Sequence, residues 1–393
     1  MSSPPAPPRG RPSLHVVQVI GGRSARVLAH VRSLAAGMTA RGLRVTVCAP
    51  SGTDRDHGFT AAGARFVALT GRTDAETVTV LRAVCADADV VHAHGLRGGA
   101  PTVLALCGRH RAPLVVTWHA RAQSVGVRAR LTRLVERRVV RSARVVLGTT
   151  SDLVDRARRH GARDARLTPV SPAVPRAGSG GPPDLPLPAP LPARGRGPAD
   201  GAEVEREKKR AELGVTGRPL VVSVGRLVPR QGHSTLLTAS RAWRRLDPPP
   251  LLAVVGEGPE RPVLQRRIEA EDLPVRLLGR REDALELPAI ADVVVLPARW
   301  EGRALVAQEA LRAGVPLVAT AVGGVPELVG DAALLVPYGD ADALADAVAG
   351  LLADSRLRRR LARAGRAQAA TWPSEDETVA QTLSLYDELV QGS

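Results

Sequence analysis

The stretch that most restricts how this chain can fold runs from Asp292 to Gly330, DVVVLPARWEGRALVAQEALRAGVPLVATAVGGVPELVG. Val293–Leu296 is an apolar run that Pro297 ends, the pattern of a buried parallel strand. A loop carrying Trp300, Glu301 and Gly302 follows. The spacing then predicts a helix over about 304–312, stopped by Gly314, and a second strand over 315–319 before the turn at Gly323-Gly324. Strand, loop, helix and strand make a βαβ unit, and its loop lies at the carboxyl end of a strand, where open α/β sheets bind ligands.

Two carboxylates mark this unit. Glu301 is on the loop and Glu309 is in the helix, and two turns of helix are expected between them. The helix start between them offers backbone N–H groups from Gly302, Arg303, Ala304 and Leu305 to an anion. Acid, open helix end and second acid suit a ligand with hydroxyls at both ends and phosphates between, such as a nucleotide sugar. The spacing alone is equally that of a solvated loop acid and an ordinary helix-surface glutamate.

The flanking sequence separates these readings. PARWEGRALVAQEALRAGVPLVATAVGGVPELV resembles the E-x7-E segment of glycosyltransferase family 4, retaining transferases of the GT-B fold, and the resemblance extends over nearly the whole chain. It implies an α/β protein of two doubly wound, Rossmann-like domains facing a cleft. The expected divisions are an acceptor-side domain at 1–171, a Pro/Gly-rich linker and charged helix at 172–211, a nucleotide-sugar-binding domain at 212–372, and a terminal helix at 373–393 that rejoins the first domain. The function implied is transfer of a sugar from a UDP- or GDP-sugar to an acceptor the sequence does not identify; inositol phosphate is one acceptor used in this family. The alternatives are a nucleotide-sugar-binding protein with weakened chemistry and a basic surface-binding protein.

The resemblance assigns roles residue by residue. Glu309 holds the ribose hydroxyls, and Glu301 with the N–H groups after it holds the donor sugar. GRLVPRQG at 225–232 resembles the family's G-R-L-x-x-x-K-G, whose two cations clamp the diphosphate. Arg226 matches; Gln231 stands where the family has Lys, with Arg230 just before it. Gly256, in a G-x-G-P loop, and Arg280, after the next strand, fall near the nucleotide. Gly21-Gly22, between a strand at 14–20 and a helix at 24–40, faces the donor phosphates and the acceptor. TWHA at 117–120 resembles a segment whose histidine, here His119, lies near the donor sugar. His92 and His94 in DVVHAH alternate onto one side of a strand and read at least as readily as structural groups.

Composition narrows the partners. The net charge is +16, but arginine supplies nearly all the basic residues, with lysine only at 208 and 209, so the excess partly reflects a biased composition. Aromatics are 2%, too few stacking platforms for a nucleic-acid reading. The segment 128–141 reads as a basic amphipathic helix, first as a solvated face and second as a peripheral contact with an anionic membrane. The N-terminus lacks the apolar core of a signal peptide, so a cytoplasmic protein is expected, with the inner membrane face as its peripheral site. Cys48, Cys85 and Cys107 are expected as buried free thiols. No metal-ligand spacing and no DxD-like motif appears, so neither metal nor cofactor is expected.

Overall fold

The computed structural model describes residues 13–69, 74–108, 112–121, 127–168 and 200–392. The Pro/Gly-rich stretch at 171–199, with the Pro172–Pro175 turn, and the extreme N-terminus lie outside them. The described residues divide into two compact units, 13–168 with 373–392, and 200–372.

The first unit is built on a seven-stranded sheet among the described residues, parallel throughout, in the order β3-β2-β1-β4-β5-β6-β7. The strands are β1 (His15–Ile20), β2 (Arg44–Pro50), β3 (Arg65–Leu69), β4 (Val90–His94), β5 (Leu114–Trp118), β6 (Val145–Gly148) and β7 (Ala165–Leu167). β1, β4, β5 and β6 are buried along their whole length, which explains why they read as unbroken apolar runs. The last helix, Glu375–Gln391, packs on the helix Ala25–Ala40, where Val379 lies over Gly37. Ser374 and Glu377 form a reciprocal capping box at its start. Arg166 ties its far end down with two 2.7 Å bonds to the Glu388 carboxylate.

The second unit carries six parallel strands in the order β10-β9-β8-β11-β12-β13. They are β8 (Leu220–Val224), β9 (Leu251–Val255), β10 (Val275–Gly279), β11 (Val293–Leu296), β12 (Leu317–Thr320) and β13 (Leu334–Val336). Val293, Val294 and Val295 are fully buried, and a buried valine contributes about 1.5–3 kcal/mol. The helix Asp200–Glu212 belongs to this unit, because Arg210 bonds the Asp292 carboxylate and the Ile290 carbonyl.

Both strand orders reverse at the first strand, between β1 and β4 and between β8 and β11. Such a switch point diverges the connections and leaves a crevice at the carboxyl ends of the two strands.

Several local expectations are corrected. The helix after Glu301 begins at Leu305, so one turn of helix and a loop, not two turns, separate Glu301 from Glu309. Arg230 and Gln231 lie in a short 3-10 turn, Pro229–Gln231, and the helix proper starts at His233. Gly232, at φ +74°, divides the two because its backbone lies against Pro297 and leaves no room for a side chain. β12 starts at Leu317 because the Val315 N–H turns back to the Ala310 carbonyl after Gly314. Cys107 is exposed, not buried, since it caps the helix Gly95–Leu106; Cys48 and Cys85 are buried, and burial pushes both thiols up to about 12.

Candidate functional site

The second unit gathers the sequence-predicted donor residues at its switch point. The loop after β8 carries Gly225 and Arg226; the loop after β11 carries Trp300, Glu301 and Gly302. One side-chain bond joins the two loops: Gln231 Nε2 donates to Glu301 Oε1 over 2.8 Å. The backbone of Glu301 is fixed independently. Its carbonyl accepts the Gly324 N–H at 2.9 Å, and a Cβ on Gly323 would overlap that same carbonyl. Gly323 also has φ +57°, so only glycine serves there without strain.

Gly256 plays the matching part beneath Arg226. A Cβ on Gly256 would overlap the Gly225 carbonyl, and the Gly225 N–H donates to the Val255 carbonyl at 2.9 Å. The loops after β8 and β9 thus press together. Arg226 and Arg230 are exposed, and among the described residues neither guanidinium has an ion pair or a hydrogen bond. Other arginines of this unit are engaged, as in Arg210 with Asp292 and Arg267 with Glu271. Two unpaired cations beside a strand-end loop have the chemistry to meet an anion.

Glu309 sits in the second turn of its helix and accepts from Arg312 Nη1 at 2.9 Å. The start of that helix has no side-chain cap, with Ala304 at the N-cap position, which leaves its first N–H groups to an external acceptor. Arg303 is half-buried, and its carbonyl accepts from Gln308 Nε2. Arg280 is exposed, at the end of β10. A cavity of about 900 Å³ lies at the opposite, amino-terminal edge of this sheet, beside Arg218 and Asp292. Arg210 and Arg358 in its lining are bonded to Asp292 and to main-chain carbonyls.

The first unit places Gly21 and Gly22 after β1 and His119 after β5. A Cβ on Gly21 would overlap the Arg97 carbonyl, so this glycine serves the close packing of the helix Gly95–Leu106 against β1; a Cβ on Gly22 would meet no atom within 4 Å among the described residues. A cavity of about 470 Å³ opens here, lined by Gly22, Arg23, Arg26, His94, Arg97 and His119.

Beneath it runs a buried polar chain. Gln18 Nε2 donates to the Tyr386 hydroxyl at 3.1 Å, which turns Gln18 Oε1 toward His94 Nε2 at 2.7 Å. His94 Nε2 therefore carries its proton, and His94 Nδ1 accepts from His119 Nε2 at 3.1 Å. His92 meets Tyr386 through Nδ1 and Thr117 through Nε2, at 2.5 and 2.6 Å, and is a structural residue. Burial holds His94 and His119 well below the ordinary imidazole value, His30 at about 4 and His92 at about 3.

Gln18, His30 and Tyr386 are members of this cluster that the sequence reading did not single out. Gln18 was detectable as the lone amide in the strand HVVQVI, and His30 as a polar residue on the apolar face of its helix. No local signal points to Tyr386, which arrives from the other end of the chain.

Comparison with known proteins accords with this geometry. Residues 27–173 match the family described as glycosyl transferase 4-like domain, and residues 205–368 match glycosyl transferases group 1. The chain is 32% identical over 325 residues to the D-inositol 3-phosphate glycosyltransferase of Corynebacterium glutamicum, covering 77% of this chain and 72% of that protein. It is 39% identical over 197 residues to a GDP-mannose-dependent alpha-(1-6)-phosphatidylinositol monomannoside mannosyltransferase of Mycolicibacterium smegmatis; that match spans 46% of this chain and about half, 51%, of the relative. In fold it is similar to sucrose-phosphate synthase from Thermosynechococcus elongatus, with a TM-score of 0.75 at 22% identity over 97% of this chain and 100% of that one. The Anabaena protein HepE in complex with UDP gives a TM-score of 0.74 at 19% identity, over 95% and 100% of the two chains. With both halves of the chain matched and a relative covered over most of its length, the protein belongs to glycosyltransferase family 4 and is a glycosyltransferase of the GT-B fold.

Proposed function

We propose that the protein transfers a sugar from a nucleoside-diphosphate donor held at the switch point of the second unit. The observation that carries this reading is the meeting of the β8 and β11 loops through Gln231 and Glu301, with Arg226 and Arg230 unpaired beside them. In this reading Glu309 accepts the ribose hydroxyls, Glu301 and the N–H groups from Gly302 to Leu305 take the donor sugar and phosphate, and Arg226 meets the charge that develops on the leaving diphosphate. Gly256 and Arg280 border the nucleotide. His119 is the residue of the first unit proposed to meet the transferred sugar, above the Gly21-Gly22 loop. No metal or cofactor is assigned to the transfer itself.

For the acceptor, the relatives' names put inositol-bearing phosphates first. The cavity beside Arg23, Arg26 and Arg97 supports an anionic acceptor of that kind.

Calorimetry tests the donor assignment. Glu309→Ala is expected to weaken free UDP or GDP and the sugar donor alike, by about 1.5–3 kcal/mol, the worth of a charged hydrogen bond. Glu301→Ala should spare the free nucleotide and impair donor binding and turnover. Equal losses of free nucleotide in both variants would sink the assignment.

A lipid-linked acceptor is favoured by one further observation. Leu131 and Leu134 are 63% and 61% exposed on the helix Val127–Ser142, among arginines, which is the make-up of an interfacial helix. No helix among the described residues is long and apolar enough to cross a membrane. Flotation with vesicles rich in anionic lipid should recover the wild-type protein at low salt and lose most of it in the Leu131→Ser/Leu134→Ser variant. Equal recovery of both would place the contact elsewhere or nowhere.

A further inference from the structure

The first unit holds a cluster of three buried histidines, of which the proposed transfer uses only His119. His30 projects from the helix Ala25–Ala40, His94 ends β4 and His119 follows β5. All three are buried, at 5%, 4% and 5% exposure, and one ring nitrogen from each lies within 4.8 Å of the others. We propose that these three imidazoles form a binding site for a zinc-like divalent cation.

Three observations carry the assignment. The first is spacing: His94 Nδ1 and His119 Nε2 are 3.1 Å apart, and two nitrogens on a tetrahedral zinc at about 2.0–2.1 Å lie roughly 3.4 Å apart. A small opening of that pair and a closing turn of His30 complete a three-nitrogen face.

The second is the outer shell. The Gln18 carbonyl holds the proton of His94 on Nε2, so Nδ1 presents its lone pair inward. A ligating histidine characteristically has its other ring N–H held this way. His30 has no hydrogen bond to either ring nitrogen among the described residues, so its lone pair is not committed elsewhere.

The third is access. His94 and His119 line the cavity of about 470 Å³, which leaves a fourth position open to a small ligand. Arg26 donates to the His119 carbonyl at 2.7 Å, and its charge favours an anion, hydroxide or phosphate, in that position.

Binding would require His119 to move its proton from Nε2 to Nδ1, a tautomeric shift with no net proton release. It would also occupy the ring proposed to meet the sugar. On the reading of His119 given above, zinc would therefore inhibit transfer rather than assist it.

The test reads metal directly. Metal-free full-length protein is titrated with Co²⁺ under visible absorption and with Zn²⁺ against a chromophoric chelator. Wild type should take up one equivalent of either ion, with the d–d bands of a four-coordinate cobalt site. Gln18→Ala should weaken binding about 10–100-fold, and His30→Ala by at least that factor. Should His30→Ala fail to fold, His119→Ala serves in its place, with circular dichroism confirming its fold. Absence of the cobalt bands from wild type, or wild-type affinity in the folded histidine variant, overturns the proposal. Nucleotide binding to the second unit is measured separately through Glu309→Ala, so failure of one reading leaves the other standing.

Discussion

Arg226→Ala is expected to lower turnover about 100- to 1,000-fold, the usual loss when one preorganised donor is removed from developing charge. Affinity for the intact donor should change much less, because the effect falls on the leaving diphosphate rather than on the ground state. The variant should fold normally, since Arg226 is exposed and its side chain has no partner among the described residues. Arg230 stands where its charge can stand in for the family's lysine, replaced here by Gln231. Arg230→Ala is therefore expected to lose about tenfold, in keeping with the greater strength of charge-assisted bonds. Gln231→Lys added to it should restore the loss, because lysine supplies a cation while still donating to Glu301. Initial rates over a donor series decide the matter. Turnover of Arg226→Ala within threefold of wild type would remove it from the chemistry.

Acid should destabilise the first unit before the usual carboxylate range is reached. His30 and His92 are held at about 4 and about 3, chiefly by burial, and His94 and His119 are shifted in the same direction. Below the ordinary histidine value near 6.5 the unfolded chain takes up protons that the folded unit refuses. Stability therefore falls as pH drops from about 6.5 toward about 4, and these groups contribute no such slope above 6.5. Each histidine adds about 1.4 kcal/mol per pH unit within that window. His94 and His119 act in the same direction, against a whole-domain stability of only about 5–15 kcal/mol. The second unit has one such group, His233, held at about 4 by burial, and should be less sensitive. Hydrogen exchange resolved by peptide at pH 7 and pH 5 tests this. Unchanged protection of β1, β4 and β5 at pH 5 would refute it.

The backbone elements of the candidate donor site were largely legible in the sequence because they are local. A buried parallel strand announces itself as an apolar run, its loop follows at a known edge, and a glycine marks the helix end. Val293–Leu296, Glu301, Glu309 and Gly314 could all be placed that way. The sequence errors there were small and had backbone causes. Gly232 separates the turn at Gln231 from the helix that starts at His233, because its backbone lies too close to Pro297 for any side chain. Leu305 starts its helix one residue later than expected.

What the sequence alone determined about this protein is the pair of βα alternations, the loops that carry Glu301, Arg226 and Gly21, and membership of a transferase family. What only the tertiary structure decided is which distant side chains meet. Gln231 lies 70 residues from Glu301, and Tyr386 lies 294 from His92, yet both pairs are bonded. Strand order brings the first pair together across a switch point, and the returning helix Glu375–Gln391 brings the second. Neither is encoded in local periodicity, because a hydrogen-bond partner is selected by the packing of whole elements. The same cause hid the three-histidine cluster. His30, His94 and His119 have no spacing that reads as a ligand motif, and only the docking of one helix on two strand ends sets their nitrogens within 4.8 Å.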